Sequence, residues 1–346
     1  MARSDHTGMT FIDPLPARGE VRDIAPGVKW ARLPLPFRLN HVNVWLLPEA
    51  DGYTLIDCGV EGAEMRALWD EMLAGPLGGQ PITRFVATHG HTDHVGLAGY
   101  LCERFDIPYV STLGEWLWPR LRHLEAAEPA RPQLRRFMTQ HGCDEALIQS
   151  MIAARPTFVA ALGPPPAALV RLVDGQIIRM GGFDWRVMVA AGHADEHASF
   201  YCDETRVLIA GDQILSHISP VVGVFPNEPD GDPLADYLAS LPRFAELPED
   251  TLVLPSHGTP FRGLHARVNW LASHHDERLD KLLGLLDQPV TTSEAAHRLF
   301  TRAMAEGAGM LAVAETLSHL HRLVGQGRLA KSQRDDGVMI FSPLRG

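Results

Sequence analysis

The segment THGHTDHVG (88–96) places three histidines and an aspartate, His89, His91, Asp93 and His94, within six residues, directly after an apolar run. Neutral imidazole and carboxylate are ligands that zinc, iron and manganese accept. In a turn this spacing cannot bring all four onto one ion. His89 and His91 can converge on one metal, while Asp93 and His94 point to a neighbouring position. A two-metal centre needs about three protein ligands per ion plus a bridge, so more must come from elsewhere. Three candidates stand at the ends of apolar runs: His193 in AGHADEH, Asp212 in AGDQILSH and His257 in PSHG. Any one histidine in such a place would ordinarily be a surface or core residue. The ordered set is what points to metal.

Two adjacent divalent ions lower the pKa of a water between them and polarise a substrate carbonyl. Asp93 and Asp212 are then the candidates to orient the resulting hydroxide and take its proton. His217, five residues beyond Asp212, could reach over the metals as a substrate or oxyanion contact. His265, His274, His275, His319 and His321 are expected at the surface. No GxSxG elbow is present, and no cysteine has a local histidine partner. The four cysteines, Cys58, Cys102, Cys143 and Cys202, have no CxxC spacing and read as buried or neutral free thiols.

The elements that must position these residues follow from periodicity. VKWARLPL (28–35), HVNVWLLP (41–48), GYTLIDCG (52–59) and ITRFVATH (82–89) are strand-like, with helices expected at about 62–74 and 95–106. A helical insertion is expected from about 115 to 162, punctuated by Pro129, Pro132 and Pro156. Strand character returns in a meander from ALVRLVDG to RVLIAGD, and TLVLPSHG adds a last short strand. From Arg262 on, a long helix, two further helices and a hairpin give the order of a winged helix. The expected domains are 1–262, catalytic, and 263–346, the long helix plus winged helix.

The order HxHxDH, then GH, then GD, then a late histidine resembles the metallo-β-lactamase superfamily over roughly residues 25–262. The resemblance implies an α+β fold, a four-layer αββα sandwich with the site at the open edge of its two sheets. It implies His89, His91 and His193 on a first metal, Asp93, His94 and His257 on a second, and Asp212 bridging. Asp57, in LIDCG, matches the aspartate that supports the ligand loop from behind. His197 follows GHADE, where the resemblance implies a second histidine; hydrogen bonding behind the ligands is its expected role, and ligation the alternative. With the C-terminal winged helix, the chain resembles the β-lactamase-like-protein-2 branch, related to the glyoxalase II thioester hydrolases. The expected cofactors are two divalent ions, zinc first, with iron or manganese as alternatives.

Composition bounds the rest. The chain has 346 residues, 45% hydrophobic and 21% charged, so a large core is expected. Its start lacks a secretory pattern and no long apolar run occurs, so a cytoplasmic protein without a membrane span is expected. β-Lactam hydrolysis is not the expected physiological role, since a resistance enzyme would normally be exported. A formal charge of 31 − 42 = −11 argues against general nucleic-acid affinity. The tail from Leu264 carries ten Lys/Arg against nine Asp/Glu, without a basic recognition helix. Packing or homodimerisation is therefore the expected role of the winged helix. Trp116, Trp118, Phe137, Met138, Met151, Ile152 and Phe158 share the insertion with Arg120, Arg122, Arg131, Arg135 and Arg136. That mixture suits an acyl chain on an anionic carrier such as coenzyme A or glutathione, or, more blandly, an amphipathic layer. The expected substrate is a small-molecule thioester or ester. A phosphodiesterase or ribonuclease, a lactonase and a mononuclear iron persulfide dioxygenase-like enzyme are the alternatives. A non-enzymatic binding protein fits least, since so many charged ligands cost folding energy unless metal fills the site.

Overall fold

A computed structural model describes residues 3–4, 8–125 and 132–344. Pro129, Arg131 and the side chain of Phe158 lie outside the described residues. By internal contacts the chain divides into two compact units, one of 1–127, 157–220 and 243–268, the other of 128–156, 221–242 and 269–346.

The first unit carries two sheets. In one, Val21–Ala25, Val28–Pro34, His41–Glu49 and Gly52–Ile56 run antiparallel in order, then Ile82–Val86, Tyr109–Ser111 and Val170–Arg171 follow in parallel. In the other, Ile177–Met180, Phe183–Ala190, His197–Cys202 and Val207–Gly211 form an antiparallel meander, and Leu252–Pro255 joins in parallel. The two sheets share a core of Trp30, Trp45, Ile56, Val86, Trp185, Phe200, Ile209 and Leu254. Strands such as Gly52–Ile56 and Val207–Gly211 are buried at every position, so they read as continuous apolar runs rather than alternating ones.

On the outer face of the first sheet, Leu33, Leu55 and Phe85 meet Met65, Leu68, Trp69 and Met72 of the helix Ala63–Ala74 and Leu101 of Ala98–Phe105. The spacing of those helical residues, by three and four, gives one apolar stripe aimed at the sheet. The fold is the expected mixed α+β sandwich of two sheets with helices. All four cysteines are free and buried, as expected.

The insertion folds as the helices Leu113–Leu124, Pro132–Gln140 and Glu145–Ala160. In the second unit, His141, which follows the middle of these, binds the first turn of a tail helix. Its Nδ1 lies 3.0 Å from Thr292 Oγ1 and its carbonyl accepts the Ser293 N–H at 3.0 Å. That helix, Thr292–Leu299, starts at a capping box between Thr291 and Glu294. Gly309–Gly325 and an antiparallel hairpin of Leu329–Gln333 with Met339–Pro343 follow. The tail histidines correct the surface expectation. His275 and His319 are fully buried and His321 is 7% exposed. His275 Nδ1 sits 3.3 Å from His319 Nε2, and its ring meets Tyr237 edge-on at 5.5 Å. Among the described residues no helix is long and apolar enough to cross a membrane.

Candidate metal centre

Every residue singled out as a ligand stands at one rim of the first unit, just past a strand's C-terminal end. His89, His91, Asp93 and His94 follow Ile82–Val86; His193 follows Phe183–Ala190; Asp212 follows Val207–Gly211; His257 follows Leu252–Pro255. Where the strand ends, Thr88 turns away from the ladder: its N–H and Oγ1 both donate to Asp57, at 2.9 and 2.8 Å.

The rim brings the predicted residues together as three overlapping groups. These are His89, His91 and His193; His89, His94 and Asp212; and Asp93, His94 and His257, each with its ligand atoms within 4.8 Å of one another. His89 Nε2 lies 3.0 Å from His91 Nδ1 and 3.3 Å from His193 Nε2. His257 Nε2 lies 3.2 Å from Asp93 Oδ2 and 3.4 Å from Asp212 Oδ2, while His193 Nε2 lies 3.4 Å from the same Asp212 oxygen. Asp212 thus faces both ends of the cluster.

The electrostatics fit a cation. Burial, reinforced by the neighbouring His193, pushes His91 down to about 3, which leaves a neutral imidazole, the form that can bind a cation. Burial also lowers His257, but Asp212 and Asp93 outweigh it and raise this ring to about 10. His94 is raised in the same way, with Asp93, Asp212 and Asp57 overcoming burial. Protons on these rings neutralise the acids; divalent ions do the same only with the rings deprotonated. The orphan atoms agree: His94 Nε2 and Asp212 Oδ1 are buried without any hydrogen-bond partner. Buried polar atoms left in that state cost free energy unless something ligates them.

The residues behind the ligands fix their orientation. Asp57 Oδ2 lies 2.8 Å from His94 Nδ1, so this nitrogen carries the proton and Nε2 faces the centre. The His41 carbonyl accepts from His257 Nδ1 at 2.7 Å with the same effect. His197 is buried; its Nε2 accepts the Asp212 N–H at 3.0 Å, the hydrogen-bonding role expected of it. Asn43, wholly buried, donates to Pro255 O at 2.8 Å and accepts from Trp30 Nε1 at 2.9 Å, tying the first sheet to the His257 loop.

One contributor escaped the sequence reading. Glu115 is 2% exposed; its Oε2 accepts the Gly90 N–H at 2.7 Å and its Oε1 the Glu196 N–H at 2.8 Å. It therefore holds the His89–His91 turn and the loop between His193 and His197 to one helix. Burial raises its carboxyl to about 7 against those two stabilising hydrogen bonds. The spacing Thr112-x-x-Glu115 at the start of Leu113–Leu124 suggests only a local capping box, and Glu115 bonds Gly90 and Glu196 instead, so no local signal marked its role.

His217 lies outside the three groups. It is exposed, its ring stacks on Phe11 at 4.6 Å, and its Nε2 is 3.5 Å from Thr259 Oγ1. Trp118 meets His91 edge-on at 5.2 Å and carries the Arg122 guanidinium over its ring at 4.9 Å.

Comparison with known proteins gives a consistent picture. The sequence profile described as the metallo-beta-lactamase superfamily matches residues 38–257. One described as the metallo-beta-lactamase-like C-terminal domain matches 279–344. The chain is 28% identical over 302 residues to "Probable metallo-hydrolase YqjP" of Bacillus subtilis (strain 168), spanning 84% of this chain and 89% of that one. A beta-lactamase domain protein from Burkholderia ambifaria has a crystal structure similar to it, with 37% identity, a TM-score of 0.83, and coverage of 95% of this chain and 96% of that chain. A metallo-beta-lactamase family protein from Thermus thermophilus follows at 30% identity, TM-score 0.76, and coverage of 92% and 99%.

Proposed function

We propose, since this chain belongs to the metallo-beta-lactamase superfamily, that it is a dinuclear metal-dependent hydrolase of a thioester or ester. In this reading His89, His91 and His193 hold one ion, Asp93, His94 and His257 the other, and Asp212 bridges them. The observation that carries it is the place of Asp212 Oδ2, 3.4 Å from both His193 Nε2 and His257 Nε2. When bound, the two ions would acidify a water between them and polarise the scissile carbonyl.

The chain's own residues supply the rest. Half-buried Asp93 and buried Asp212, both set among imidazoles, orient the attacking water and take its proton. His217, beside the His257 loop, contacts the substrate. Trp118 and Arg122 border His91 and offer an apolar wall with a cation, which suits an acyl group on an anionic carrier. Zinc is our choice of metal. We assign residues 1–262 to catalysis and the C-terminal helices and hairpin, 263–346, to a winged helix serving packing or dimerisation.

The test is a panel of thioester, ester, lactone and phosphodiester substrates with zinc-loaded protein. Thioester or ester turnover that His91→Ala abolishes is expected. Turnover confined to phosphodiesters would contradict the assignment.

A further inference from the structure

Arg32 occupies an odd place. It lies two residues from Trp30 on the strand Val28–Pro34, hence on the same face, the one that meets the other sheet. It is half-buried at the ligand rim, and its Nη1 is 3.5 Å from Gly258 O, the residue after His257. Among the described residues no carboxylate lies within ion-pair distance of it. A partly desolvated cation with only a weak carbonyl contact is costly to keep unless an anion joins it.

A shallow pocket opens over this group, lined by Arg32 with Arg18, Asn40, His41, Pro16 and Pro34. The hydrogen bonds of His41 fix its tautomer: Nε2 accepts the Gly258 N–H at 2.8 Å, so Nδ1 donates to Asn40 Oδ1 at 2.9 Å. That arrangement engages the amide oxygen of Asn40 and leaves its NH2 as a donor. Arg18, whose partner Glu71 is 3.6 Å away at an exposed site, adds a second cation. The His41 and His257 rings are 5.9 Å apart, so the pocket is separated from the metal centre by a single imidazole.

We infer that this pocket is the subsite for an anionic group of the substrate, a carboxylate or phosphate held by Arg32 with Arg18 and Asn40. Its role in substrate choice rests on the hydrolase reading above; its capacity to bind an anion does not. A guanidinium matches both oxyanions in geometry, and its charge-assisted bonds survive the competition of water better than neutral ones.

The experiment compares metal-loaded wild type with Arg32→Gln and Asn40→Asp on three matched esters: neutral, carboxylate-bearing and phosphate-bearing. Asn40→Asp changes an exposed residue, keeps the acceptor for His41 and adds a negative charge, so it reads the pocket even if Arg32→Gln folds poorly. Wild type should prefer one or both charged esters by ~tenfold or more in kcat/KM, mainly through KM, as loss of one charge-assisted contact implies. Each variant should reduce that ratio about tenfold, and which charged ester loses its advantage identifies the oxyanion. The thermal upshift given by inorganic phosphate should also shrink in both variants. That readout stands if no ester is hydrolysed, in which case the hydrolase reading fails alone. An unchanged charged-to-neutral ratio, or an unchanged phosphate upshift where no ester turns over, would overturn the subsite.

Discussion

Glu115 accepts the backbone N–H of Glu196, and the Glu196 carboxylate returns a bond to the residue before Glu115. Glu115 Oε1 accepts the Glu196 N–H at 2.8 Å, while Glu196 Oε2 accepts the N–H of Gly114, also at 2.8 Å. Thr112 Oγ1 closes the link on the Glu196 carbonyl at 2.8 Å. The first turn of a helix is thereby capped by a residue far along the chain, and its own glutamate supports two ligand loops. Removing the carboxylate in Glu115→Ala leaves the buried Gly90 N–H unpaired, a cost of about 1–3 kcal/mol, and the part-buried Glu196 N–H as well, at a smaller cost. Metal affinity should fall ~10-fold or more, as for other supports behind a ligand. A metal titration with a competing chelator measures it, alongside Tm. An equal fall in Tm with unchanged affinity would make Glu115 a purely structural residue.

Gly211 has a φ of 56°, and a Cβ there would fall 2.3 Å from His197 Nε2. Gly211→Ala combines a left-handed alanine with a collision against the ring that holds the Asp212 backbone. The expected loss is roughly 2 kcal/mol or more, read as a lowered midpoint in urea. Alanine tolerated at wild-type stability would mean the Gly211–His197 approach is looser than described.

Asp57 stands in the left-handed region at φ 59°, a conformation that asparagine adopts readily. Asp57→Asn should therefore keep the backbone. It cannot accept from Thr88 N, Thr88 Oγ1 and His94 Nδ1 together, since one carboxylate oxygen becomes a donor. A fall of ~10–100-fold in metal affinity is expected with modest change in stability. Competitive chelation checks it, and wild-type affinity would show that the His94 ring needs no anchoring.

His141 gives the second unit a pH dependence. Burial, aided by His321 and Lys331, pushes its imidazole from 6.5 down to about 4. Between those values the unfolded chain binds a proton that the native ring refuses, so stability rises with pH through the window and is lost as pH falls. The full difference is on the order of 3 kcal/mol. His141→Gln should flatten the fall in Tm from pH 6.5 to 4 relative to wild type, and subtraction removes effects shared with the metal centre. Parallel curves for the two proteins would contradict the assignment.

How far the sequence reveals this site depends on the range of the interactions. The clustering of the candidate ligands was legible because four lie in one turn and the others each close an apolar strand, so residue type and local spacing carry the signal. Asp57 and His197 were legible only through the family resemblance. Glu115 was not: its partners are backbone N–H groups 25 and 81 residues away, and such bonds leave no trace in residue type. The tail histidines misled because polarity was weighed above register. His275 lies four residues from both Leu271 and Leu279, which are buried on the same helix, so the helical spacing already placed it on the apolar face. The Arg32 pocket also depends on a contact with Gly258, 226 residues away, and no local pattern announces it.

The most direct test of the account is the number of metal ions per chain. Purified protein stripped by chelation, then titrated with zinc and followed by elemental analysis and ester or thioester turnover, should bind two equivalents, with activity rising as they bind. His257→Ala should lower the second equivalent's affinity while retaining the first. Saturation at one ion per chain, or full turnover after chelation, would contradict a dinuclear hydrolase built on these seven residues.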